Sequence, residues 1–163
     1  MGYFEINLFY KIRSQLGNKV ALYFWDMYKR YLDDGMMFWD TRLGDFMDVF
    51  NIMNSLCPTI NFTMERSFSK LTYLDLVIYK SDTGIKTSVY NKDTDSGNYL
   101  PWTSSHPRHV KSNIPFNLAR RIRTLTDDDT RAQASMLDLS AKLKKGGYPP
   151  GLVGSAVSNV MKL

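Results

Sequence analysis

Arg30-Tyr31-Leu32-Asp33-Asp34-Gly35 is the stretch on which the fold turns. Before it, residues 20–31 are rich in aromatic and branched side chains and read as a strand. After it, Met36–Trp39 is a second short apolar run. Asp-Asp-Gly between two such runs predicts a β-hairpin with two carboxylates at its tip. A tight turn is served by Asp-Gly alone, and two like charges side by side repel. The pair makes chemical sense if a divalent cation neutralises it. Magnesium takes oxygen ligands, usually one or two carboxylates plus substrate phosphates. Asp33 and Asp34 are therefore candidate metal ligands and catalytic residues for Mg²⁺ or Mn²⁺, with ordinary turn chemistry as the plain alternative.

Working outward, Phe4, Leu8, Phe9, Ile12 and Leu16 recur at helical spacing, so 3–16 reads as an amphipathic helix ending at Gly17. Residues 43–56 read as a second helix, stopped by Pro58. A short strand is expected at Asn61–Met64. Leu71–Tyr79 and Ile85–Tyr90 read as two strands joined by Ser81-Asp82-Thr83-Gly84. Composition turns loop-rich after residue 91. Helical patterns follow at roughly 114–125, 127–145 and 149–162. Asp127, Asp128 and Asp129 suit the start of one helix and Lys142, Lys144 and Lys145 its end. The fold class expected is α+β: an antiparallel sheet with two helices over 1–92, then a small, basic, mainly helical region over 93–163.

The net charge of +5 is unevenly spread. Residues 105–163 hold ten Lys/Arg against four Asp/Glu, while the rest of the chain is nearly balanced. Such a block fits a polyanionic partner. In it, Trp102, Arg108, His109 and Lys111 mix aromatic faces with cations, a combination suited to bases and phosphates. Arg120, Arg121 and Arg123 lie on a predicted helix with Ile114, Leu118 and Ile122 inward, and arginine pairs bidentately with phosphate. The lone Cys57 rules out an internal disulfide and reads as a packed thiol. No stretch is long and apolar enough to span a bilayer, so no membrane is expected as a partner. Asp75, between two leucines, is expected to face a polar partner.

Tyr31-Leu32-Asp33-Asp34 resembles the Tyr-x-Asp-Asp motif of reverse transcriptases. Further blocks extend the likeness: Gly2–Leu8, Ile60–Glu65, Leu71–Leu76, Thr87–Asp95, Tyr99–Pro107, and Lys111 with Asn113-Ile114-Pro115 and Leu118–Ile122. In this order they are similar to the reverse transcriptases of Penelope-like retroelements. The resemblance implies part of a polymerase palm over 1–92 and a thumb over 93–163. It implies an RNA template, a DNA primer duplex and deoxynucleoside triphosphates as partners, two metal ions at Asp33 and Asp34, and a nuclear, intracellular location. Arg30 and Tyr31 join the nucleic-acid-binding candidates on the same ground. The third carboxylate of such a site would precede residue 1, in a missing polymerase half, so the chain alone is expected to be inactive. The alternative reading is a non-catalytic nucleic-acid-binding module retained from a retroelement.

Overall fold

A computed structural model describes residues 2–92 and 97–162. Among them lie six α-helices and two antiparallel sheets, an α+β chain as expected. It forms two compact units, Met1–Arg66 and Ser67–Leu163. The break falls after Arg66 because the three-stranded sheet packs with the later helices. The predicted boundary between 92 and 93, and residues 93–95 of the Thr87–Asp95 block, lie outside the described residues.

In the first unit α1 spans Tyr3–Leu16 and α2 spans Asn18–Met27. They join at Gly17 without a linker. Its backbone (φ 91°, ψ 165°) occupies a region that is essentially glycine's alone. The strand expected over 20–31 is thus a helix, followed only by a three-residue strand, β1 (Lys29–Tyr31). The β-forming composition misleads here because Val20, Ala21, Phe24 and Tyr28 sit at helical spacing. All four are buried in one core with Leu8 and Ile12 of α1 and Val49, Ile52 and Met53 of α3 (Phe46–Leu56). Burial on a helical face outweighs a β propensity worth only about 1 kcal/mol.

The hairpin itself forms. β1 pairs with β2 (Asp34–Met36), with Tyr31 opposite Asp34. Gly35 is dictated by packing: a Cβ there would lie 2.7 Å from the Tyr28 hydroxyl. The Tyr28 ring in turn stacks on Phe24, centroids 4.9 Å apart. Arg30 is ion-paired to the buried Glu5 of α1, and its other arm donates to the Leu32 carbonyl at 2.6 Å. The strand expected at Asn61–Met64 is absent. The Asn54 side chain bonds both the N–H (2.7 Å) and the carbonyl (3.4 Å) of Phe62, replacing a strand neighbour. Cys57 is half-buried, 3.2 Å from the Thr59 hydroxyl.

The second unit opens with a three-stranded meander: β3 (Lys70–Tyr73), β4 (Leu76–Ser81) and β5 (Gly84–Val89). Three helices follow: α4 (Arg108–Leu125), α5 (Asp129–Lys145) and α6 (Pro150–Met161). Their core holds Ala119, Ile122, Met136, Leu139, Leu143, Tyr148, Val153 and Val160. α4 begins at Arg108, earlier than the predicted 114, and carries the buried Pro115 inside it. Proline removes one helical hydrogen bond, which is why the sequence reads as a start there. The turn between α4 and α5 bonds the edge strand. Thr87 N–H donates to the Asp127 carboxylate (2.6 Å), Asp127 N–H to the Thr87 carbonyl (3.1 Å), and Val89 N–H to the Thr126 hydroxyl (3.2 Å).

Gly17→Ala is expected to destabilise the first unit by about 1–3 kcal/mol, although the space around it is empty; chemical denaturation followed by the tryptophans measures it. Burial alone would raise the Glu5 carboxyl. Backbone N–H groups and the Arg30 guanidinium outweigh that and hold it below its ordinary value. A lowered carboxyl stabilises fully above its unfolded value of roughly 4.3 and loses the contribution as pH falls through the folded one. Glu5→Gln should therefore cost about 1–3 kcal/mol at pH 7, and its deficit against the parent should shrink steadily below pH 4.

Candidate nucleic-acid interface

α5 ends in residues that close a helix in a defined way. Gly147 (φ 80°) takes the left-handed position beyond the C-cap Gly146. Its N–H donates to the Lys144 carbonyl and Tyr148 N–H to the Leu143 carbonyl, the paired bonds of a Schellman motif. Pro149 then caps α6. Only four residues, Gly146–Pro149, separate the two helices. That length and glycine content match a helix-turn-helix.

A staple fixes this turn to the start of α4. Trp102 N–H donates to the Gly146 carbonyl at 3.0 Å. The Trp102 ring lies 5.4 Å from the Tyr148 ring, whose hydroxyl donates to the Leu100 carbonyl at 2.7 Å. Burial pushes the Tyr148 phenol above its ordinary pKa, so it stays a donor. Lys111, on the first turn of α4, donates to the carbonyls of Trp102 (2.8 Å) and Ser104 (2.7 Å) with its ammonium over the Trp102 ring. The ends of three helices are thereby gathered at one end of the unit. Exposed there are Arg108 and His109 of α4 and Lys144 and Lys145 of α5. Lys142 is paired with Asp138 at 2.9 Å. From residue 139 to 162 the chain carries four lysines and no carboxylate side chain.

The opposite end of α5 is acidic, and each of its carboxylates has a partner. Asp127 bonds Thr87. Asp128 caps α5 through the Arg131 N–H (2.9 Å). Asp129 pairs with Arg123 (2.8 Å).

The candidates named from sequence divide accordingly. Arg108 and His109 belong to the exposed cationic end. Lys111 and Trp102 are the staple. Arg121 is tied to Asp75 at 2.7 Å, so Asp75 has its expected polar partner, and Arg123 is tied to Asp129. Arg120 is exposed with no ion pair among the described residues. In the first unit Arg30 is held by Glu5, while Tyr31, Asp33 and Asp34 are exposed at the hairpin. Among the described residues no group of three or more His, Cys, Asp or Glu side chains converges as a metal site would need. Lys144, Lys145 and Lys162 were missed as binding candidates, although the absence of acidic residues after Asp138 marks them.

A family model, the animal helix-turn-helix domain, matches residues 98–156, which contain α4, α5 and the first half of α6. No curated protein and no solved structure matches the chain. The family match overturns the resemblance to reverse transcriptases. Most of the segment assigned to a polymerase thumb matches the helix-turn-helix model instead, and the palm, template, primer and triphosphate assignments lose their support. The physical reason lies in the turn. Tyr-Leu-Asp occurs twice, at 31–33 and 73–75, and each time it is a two-residue hairpin with leucine at positive φ (53° and 52°). The Tyr-Leu-Asp part of the motif is thus a turn sequence that this chain uses in both units, whereas the Asp33-Asp34 pair stands only at the first of the two turns.

Lys111→Met is expected to destabilise the second unit by about 1–3 kcal/mol, because it strips a charged donor from two carbonyls. Arg121→Ala should cost no more than about 1 kcal/mol, as exposed ion pairs do. Thermal unfolding of the two variants side by side reads the contrast.

Proposed function

We propose that the helix-turn-helix over residues 98–156 binds double-stranded DNA, with α5 as the supporting helix and α6 as the helix that enters the groove. The observation that carries this reading is the charge around the α5–α6 turn. The groove-entering helix of such a motif meets DNA with its N-terminal residues. α6 begins beside Lys144 and Lys145, and its segment has no carboxylate to repel a phosphate. α5 is unsuited to that role, since Asp127, Asp128 and Asp129 stand at its start. The family match over the same residues supports the assignment. Arg108 and His109, at the same end of the unit, add to the phosphate-binding surface.

The reading needs no catalysis from this chain. Fluorescence anisotropy on a labelled duplex tests it. Binding should be measurable at low salt and fall steeply as salt rises, with a slope near 0.9 per phosphate neutralised. Lys144→Ala and Lys145→Ala should each reduce that slope by about one. Asp33→Ala should leave binding unchanged. Lack of binding at low salt by the folded chain sinks the proposal.

A further inference from the structure

The exposed face of α6 is made of Gly151, Gly154, Ser155, Ser158 and Asn159, while Val153, Ala156 and Val160 point into the core. Two glycines in one helix weaken it, because glycine loses more backbone freedom than alanine on folding. The fold of this chain gives no reason for them. A Cβ built at Gly151 or at Gly154 meets nothing within 4 Å. Neither has the positive φ that would call for glycine. What remains to explain a helix face without side chains is a partner whose surface comes up to the backbone.

The same face lacks the groups that read bases. Guanine is read by arginine or lysine and adenine by asparagine or glutamine, each with two hydrogen bonds; serine bonds to any base. The first two turns of α6 offer glycine and serine only. Asn159 stands in the last turn, away from the end where such helices do their reading. Cations instead bracket the helix. Lys144 and Lys145 stand before its first turn, and Lys162 caps its last. Arg120 stands beside the last turn, lining one cavity with Val160, Thr124, Thr126, Arg123 and Asp127; there Arg123 is held by Asp129 and Asp127 by Thr87, which leaves Arg120 as the cation without an ion pair among the described residues. Twelve residues of helix span about 18 Å, more than the roughly 12 Å width of a major groove. A helix of that length reaches the floor only when laid along the groove, which sets the cations at its two ends beside the phosphate backbones that border it.

We propose that α6 lies against the floor of the major groove with its bare face and is held there by phosphate contacts at both ends, so that the module takes duplex DNA of any sequence. This rests on the reading of α6 as the groove-entering helix. Phosphate contacts position a protein but carry no sequence information. Close contact through glycine and serine sets how deep the helix sits without choosing bases.

The whole chain is mixed with a randomised DNA duplex pool at low salt, and bound molecules are selected and sequenced over several rounds. No binding at all overturns the assignment of α6 to DNA, and this inference with it. Binding that enriches a consensus leaves that assignment standing and overturns sequence tolerance. Binding with no consensus supports the proposal. A second measurement tests the bare face. Gly154→Gln is expected to leave the melting temperature unchanged or raised and to weaken duplex binding by about tenfold, the scale of one lost base-pair contact. Unchanged affinity in that variant overturns the close approach. An RNA duplex of equal length is expected to compete poorly, because its deep, narrow major groove does not admit side chains. Equal competition overturns the groove placement.

Discussion

The hydrogen bond from the Trp102 backbone N–H to the Gly146 carbonyl is the contact on which the second unit is organised. It closes a loop that begins in irregular chain and ends at the turn between α5 and α6. The indole then serves two neighbours, packing on Tyr148 and receiving the Lys111 ammonium over its face. Lys111 needs that help. Its carbonyl faces Pro115, which has no N–H to return, so the first turns of α4 are weaker than an uninterrupted helix. Anchoring them from outside the helix explains how α4 begins seven residues before its proline. Without the staple, Arg108, His109, Lys144 and Lys145 would belong to separate ends rather than to one surface.

Charge in this unit is sorted by position. The three aspartates before and at the start of α5 satisfy a strand edge, a helix cap and an arginine, so they are structural groups with fixed partners. Arg121 and Arg123 are consumed in the same way. These pairs are largely exposed, so each adds little stability, but each fixes where its charge lies. The cations at the other end have no such carboxylates beside them. A surface that accumulates one sign of charge destabilises the compact state slightly by repulsion, and a polyanion relieves it.

The hairpins show how the same chemistry can suggest two functions. Tyr31-Leu32-Asp33-Asp34 and Tyr73-Leu74-Asp75-Leu76 both place leucine in a left-handed backbone that β-hairpins normally give to glycine or asparagine. Each is tied from outside: Leu32 through its carbonyl by Arg30 and Glu5, and the 73–76 turn through Asp75 by Arg121. A carboxylate at such a turn is as well explained by tethering as by a metal. In the second turn the tether is visible.

Much of the local structure was legible in the residues alone. The helix at 3–16 announces itself by apolar spacing and Gly17. The β4–β5 hairpin does so by Ser81-Asp82-Thr83-Gly84, and α5 by aspartates before it and lysines at its end. The excess of positive charge in the last third was legible too. These features are encoded within a few residues of where they act, through backbone preference and helix-end electrostatics. What only the tertiary structure decided was which groups remain for a partner. Val20–Met27 became helix because its buried face shares one core with α1 and with α3, which follows some twenty residues later. Arg30, Arg121 and Arg123 met carboxylates 25, 46 and 6 residues away, and Lys111 met two carbonyls. A cation's sequence neighbours do not say whether a distant acid will claim it. The bare face of α6 emerged only once its packing was known, because a glycine's purpose depends on what does or does not stand opposite its missing side chain.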